Sequence, residues 1–135
     1  MTRYLLDTNI VSDLVRNPQG AAAARLVGID ERAIGTSIIV AAELRYGAVR
    51  RGSARLTAQL EKILGAIEVL PFEAPAERVY GELRCSLEAA GRPTGANDLL
   101  IAAHALALGR SLVTDNLREF SRVAGLPLEN WLRDA

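Results

Sequence analysis

Four acidic side chains stand where an unpaired carboxylate is costly. Asp7 follows the apolar run Tyr4-Leu5-Leu6, and Asp115 follows Leu112-Val113-Thr114, so each reads as the residue at the carboxyl end of a short strand. Glu43 lies inside the apolar stretch Ile38 to Leu44, and Asp98 opens another that runs from Leu99 to Ala103. An ionised carboxylate in such company needs a cation or a set of hydrogen-bond donors. Its own helix offers neither acid a basic partner. The positions three and four residues away are Ile39, Val40, Tyr46 and Gly47 for Glu43, and Thr94, Gly95, Ile101 and Ala102 for Asp98. A distant Arg could pair with Glu43, and the helix macrodipole could stabilise Asp98. Gathered at one point, the four acids would instead hold magnesium (Mg2+) or manganese (Mn2+), hard cations that take oxygen ligands and keep several waters. Ions held in this way activate water and stabilise the leaving oxygen in phosphodiester hydrolysis.

Other chemistries are poorly supplied. His104 is the only histidine, which excludes a metal-free nuclease built on a histidine pair. It lies six residues from Asp98, about 120° away around a helix, and is expected to be a packed, hydrogen-bonded core residue. Cys85 is the only cysteine, so no internal disulfide and no cysteine zinc site can form, and a small helix residue is its expected role. No glycine-rich phosphate loop with Lys and no G-x-S-x-G stretch is present. A phosphatase with Asp7 as nucleophile would want a general acid two residues on, where Asn9 stands, and a Lys nearer than Lys62.

The elements that must position these acids follow from periodicity. Residues 3–6, 33–37, 67–70 and 111–114 read as strands, with a further edge strand at 126–128. Helical spacing predicts helices over 10–16, 21–27, 38–50, 54–65, 74–90 and 96–108, and 115–120 reads as a loop or helical turn. Thr8 or Asn9 would cap the first helix. The helix over 38–50 is apolar enough to be largely buried, with Gly47 a weak spot. Leu56, Leu60, Ile63 and Leu64 form an amphipathic stripe, and Gly109 closes the last long helix. Strands alternating with helices imply an α/β fold, a mostly parallel central sheet with helices on both faces. Ligands of such sheets bind beyond the carboxyl ends of the strands.

Length and composition set outer limits. With 135 residues, half of them hydrophobic, the chain has material for a single domain over 1–135. No apolar run approaches the ~18 residues of a membrane span, and Asp7 interrupts the opening too early for a signal peptide, so a cytoplasmic protein is expected. Sixteen basic residues balance sixteen acidic ones, unlike the usual strongly basic nucleic-acid binder. Four acids committed to metal would leave the remainder with a surplus of four basic groups. Fifteen of the bases are Arg, which suits two-pronged phosphate contact but also fits a compositional bias. The densest basic stretch is Arg45, Arg50, Arg51 and Arg55, a candidate phosphate contact or a solvated helix face.

Four stretches in order carry a resemblance over essentially the whole chain. They are Leu5 to Leu14 (Leu-Leu-Asp-Thr-Asn-Ile-Val-Ser-Asp-Leu), Ala41 to Gly47 (Ala-Ala-Glu-Leu-Arg-Tyr-Gly), Asn97 to Leu106 (Asn-Asp-Leu-Leu-Ile-Ala-Ala-His-Ala-Leu), and Leu112 to Phe120 (Leu-Val-Thr-Asp-Asn-Leu-Arg-Glu-Phe). Together they resemble the PIN-domain toxins of VapBC toxin–antitoxin modules. The resemblance implies a PIN-like fold and a magnesium-dependent endoribonuclease acting on structured RNA such as tRNA. It implies catalytic, metal-holding roles for Asp7, Glu43 and Asp98, with Asp115 as the fourth acid or Asn116 as its rival. Thr8, Asn9, Thr114 and Asn116 would orient the acids or metal waters, with helix capping the alternative for Thr8 and Asn9. It further implies a VapB-type antitoxin that inserts near the acids, and toxin homodimers. The helices within 10–16 and 38–64 carry more apolar residues than one sheet face needs, which fits a helix-in-groove partner or a dimer surface. A non-catalytic partner-binding module is the rival reading.

Overall fold

Tyr4–Leu6 (β1) takes the centre of a five-stranded sheet in the computed structural model, with Leu5 and Leu6 fully buried. The structure describes residues 2–133, so the outermost positions of the expected 1–135 domain lie outside it. The other strands are Ile34–Ser37 (β2), Glu68–Leu70 (β3), Ser111–Val113 (β4) and Leu128–Glu129 (β5). Their order is β3-β2-β1-β4-β5, and every pair is parallel. The sheet predicted as mostly parallel is therefore parallel throughout its described strands. The chain builds outward from β1 through β2 to β3, then returns to the other side of β1 for β4 and β5. That reversal puts a topological switch point between β1 and β4. Register pairs Leu6 with Thr36 on one side and with Val113 on the other, so Asp7 and Thr114 leave the sheet side by side, next to Ser37 at the end of β2.

Parallel neighbours require crossovers, which helices supply. They are Thr8–Arg16 (α1), Ala21–Leu26 (α2), Ile38–Arg51 (α3), Ala54–Ala66 (α4), Ala76–Ala89 (α5), Ala96–Leu108 (α6) and Leu117–Phe120 (α7). α1, α3 and α4 pack on one another, and α5 pairs with α6. α4 buries Leu60 and Leu64 from its apolar stripe. α6 is the innermost helix, burying Leu99, Ile101, Ala102, Ala103, His104 and Ala105, and it stops at Gly109 in the left-handed region with φ 67°. His104 is a core residue as expected: its Nδ1 lies 2.8 Å from Ser37 Oγ, and burial holds its pKa below the ordinary value. Cys85 sits on α5, exposed.

Several sequence expectations change. Asp7, rather than Thr8 or Asn9, caps α1, its carboxylate accepting from Thr8 N, because the strand ends one residue before the helix begins. α3 is two-sided rather than largely buried. It buries Val40, Ala41 and Ala48, while Ile38, Tyr46 and Val49 are 40, 66 and 78% exposed. The edge strand expected at 126–128 forms at Leu128–Glu129, since Leu126 turns into the core after Val123 and Pro127 supplies the carbonyl that accepts from Leu112 N.

Candidate active site

Asp7 is only 4% exposed, at the switch point between β1 and β4. Its Oδ1 accepts from Thr8 N at 2.8 Å, and its Oδ2 accepts from Thr114 Oγ1 at 2.7 Å. The Thr114 hydroxyl in turn accepts from Asn116 N at 3.0 Å, which directs its proton to Asp7. Burial raises the Asp7 pKa, with those hydrogen bonds opposing it. Two donors position the carboxylate without neutralising it.

Glu43 reaches the same place from the second turn of α3. Its Oε2 accepts from Thr8 Oγ1 at 3.2 Å, whereas its Oε1 is buried with no hydrogen-bond partner. Burial is the first cause of its raised pKa and the charge of Asp7 adds to it, while the Thr8 hydroxyl and the Asn97 amide, which lies near without closing a hydrogen bond on Oε1, oppose it. Asp98 arrives from the first turn of α6, half-buried. Its pKa is pushed up to about 6, chiefly by burial and then by the charges of Asp7, Glu119 and Glu43. Mutual repulsion of this kind marks three carboxylates in one poorly solvated region, and the charge of Glu119, itself 3.7 Å from Arg122 Nη1, reaches Asp98 as well. Sequence reasoning missed Glu119, because Leu117-Arg118-Glu119 reads as a solvated helical turn. Its signal was position: α7 is the first turn after β4, beside the switch point.

Asp115 stands next to Thr114 at the same strand end, but its carboxylate is engaged outside that charge cluster. Its backbone N–H donates to Asn9 Oδ1 at 3.0 Å, and its carboxylate faces the tail, accepting from Arg133 Nε at 2.8 Å and Asn130 Nδ2 at 3.0 Å. Hydrogen bonds from Arg133 and Asn130 hold its carboxyl below the usual range. Asn116, the rival fourth residue, contributes its backbone N–H through Thr114, and its side chain is exposed. Asn9, where a phosphatase would want an acid, is occupied in holding the turn after β4.

The candidate phosphate contacts divide. Arg45 is engaged as a fork with Glu61 of α4, with both bonds at 2.9 Å, because α3 and α4 lie side by side. Arg50 and Arg51 are exposed in the last turn of α3. Arg51, Arg16, Gly47, Leu56 and Leu60 line, together with Glu43, a groove of about 120 Å³ between α1, α3 and α4.

These residues fit a divalent cation. An orphaned buried carboxylate oxygen beside two further acids is an arrangement that a bound cation would relieve. Among the described residues no three His, Cys, Asp or Glu side chains close on a single point. The fit is therefore to a hydrated ion that takes one or two carboxylates directly and the rest through water.

Comparison with known proteins identifies the family. The family model described as PIN domain matches residues 4–126. Ribonuclease VapC2 of Rickettsia felis is 40% identical over 130 residues, spanning 95% of this chain and 97% of that protein. The tRNA(fMet)-specific endonuclease VapC of Shigella flexneri is 36% identical over 132 residues, spanning 97% of this chain and 99% of its own. The crystal structure of VapBC2 from Rickettsia felis, bound to a DNA fragment from the VapBC2 promoter, matches with a TM-score of 0.87 at 37% identity, covering 96% of this chain and 99% of that one. An acid cluster at the switch point of an all-parallel sheet, with likeness of this extent, establishes that the chain belongs to the PIN-domain family and, within it, to the VapC ribonucleases.

Proposed function

We propose that this protein is the toxin of a VapBC-type toxin–antitoxin pair, an endoribonuclease that uses Mg2+, with Mn2+ as a substitute, to hydrolyse a structured RNA in the cytoplasm. A single observation carries the metal reading: Glu43 Oε1 is buried without a partner beside Asp7 and Asp98. Asp7, Glu43 and Asp98 would hold the ion, and Glu119, whose charge reaches Asp98, would be the fourth acid nearby once drawn from its ion pair with Arg122. When bound, the divalent ion supplies Lewis acidity and an activated water for attack on the phosphodiester.

The chain's own residues do the rest. Thr114 and the Thr8 N–H fix the Asp7 carboxylate, and the Thr8 hydroxyl fixes that of Glu43, so ligand directions are set before the ion arrives. Asn9 pins the turn after β4. Arg50 and Arg51, exposed in the last turn of α3, would meet substrate phosphate. The resemblance to a tRNA(fMet)-specific endonuclease makes initiator transfer RNA the first substrate to try. A VapB-type antitoxin would lie in the groove between α1, α3 and α4, and the exposed Ile38, Tyr46 and Val49 of α3 suit a second toxin copy.

The test is to incubate purified, antitoxin-free protein with total RNA and Mg2+, Mn2+ or chelator, beside Asp98→Asn. Fragments that need metal and vanish in the variant are expected. Intact RNA after incubation with folded, metal-loaded protein would return the reading to a non-catalytic binding module.

A further inference from the structure

We propose that Arg133 is a substrate-phosphate contact at the rim of the acid cluster, and that Asp115 is its positioning residue and not a ligand of the metal. This inference rests on the ribonuclease reading above. Asp115 follows Thr114, whose hydroxyl donates to Asp7, and its own N–H is tied to Asn9 at 3.0 Å. With the backbone fixed there, both carboxylate oxygens are occupied by the tail. Oδ1 accepts from Arg133 Nε at 2.8 Å and from Asn130 Nδ2 at 3.0 Å, and Oδ2 lies 3.4 Å from Arg133 Nη2.

The tail is fixed in place. Trp131 is 3% exposed and meets the Tyr4 ring edge-on at 5.3 Å, while Asn130 Oδ1 accepts from Leu132 N at 2.9 Å. Arg133 thus stands two residues beyond a buried anchor beside β1, and its side chain is 74% exposed. A guanidinium carries five N–H donors. The fork on Asp115 uses two, which leaves three for solvent or a ligand. The Arg45–Glu61 fork joins two helices, whereas the Arg133 fork stands on the strand end that also carries Thr114.

A cluster of acids repels a polyanion, so a cation at its rim is what a phosphodiester needs on approach. Arg matches two phosphate oxygens at once. Held beforehand by Asp115, it loses less side-chain freedom on binding.

Two readouts separate the roles, with Mn2+ and full-length initiator transfer RNA as probes. In Mn2+ titrations by calorimetry, Asp115→Asn should stay within about twofold of the parent, while Asp98→Asn weakens binding at least about tenfold. In cleavage assays, Arg133→Ala should raise KM about tenfold with kcat nearly unchanged, the loss of one charged hydrogen-bonded contact. It should also reduce the salt slope of RNA binding by about one, with Arg133→Lys retaining that slope. Asp115→Asn should share the KM effect, because it releases the guanidinium. Mn2+ affinity in Asp115→Asn falling as far as in Asp98→Asn would overturn the assignment, as would an unchanged KM and salt slope in Arg133→Ala. Either result in a parent protein that cuts RNA leaves the ribonuclease reading standing. A parent that neither binds nor cuts RNA removes both.

Discussion

Asp98 shows how a site residue can work against the fold that holds it. With its pKa raised from an ordinary 3.8 to about 6, the folded, metal-free protein keeps a proton that the unfolded chain has already released. Stability therefore falls as pH rises through that window, and the full penalty is present above about pH 6. Asp98→Asn removes the titration. Its melting temperature in chelator should rise relative to the parent as pH goes from about 4 to about 7; a gap that stays constant with pH would refute this. Thr114 is the complementary case, a 0% exposed hydroxyl whose loss strips Asp7 of a donor. Thr114→Val should cost about 1–3 kcal/mol of stability and about 10–100-fold in metal affinity. Denaturant unfolding and Mn2+ titration would measure the two effects.

Among the elements, α3 does most to connect site and surface. One face buries Val40 and Ala41, Glu43 points to the acids, and the far end carries Arg50 and Arg51 into the open. Gly47 lies one turn after Glu43 within the unbroken helix. A Cβ there would meet nothing within 4 Å, so packing does not demand the glycine. Gly47→Ala should raise stability by about 0.5–1 kcal/mol through helix propensity, read from the urea midpoint at constant slope. A loss of stability would mean that the groove floor is tighter than its geometry states. α1 owes its start to Asp7, so the residue that begins the helix also begins the site.

For the molecule as a whole, the acid cluster makes metal binding a stability term. At a free Mg2+ or Mn2+ concentration of about 100 times its Kd, the folded state should gain about 2.7 kcal/mol. Chelator should reverse the gain, and Asp98→Asn, binding at least about tenfold more weakly, should show no more than about half of it; a parent melting curve blind to either cation would contradict the site. Much of this architecture was legible in the sequence. Apolar runs ending in acids located β1 and β4, helical spacing placed α3, α4 and α6, and the four stretches around Asp7, Glu43, Asp98 and Asp115 carried the family resemblance. Residue type and local spacing fix such features because they depend on neighbours along the chain. Tertiary structure alone decided the rest. It brought the charge of Glu119 within reach of Asp98, tied Asp115 to Arg133 and Asn130, engaged Arg45 with Glu61, and left one side of α3 uncovered. Partners 15, 16 and 18 residues apart meet because of strand order and helix packing, which no local pattern encodes.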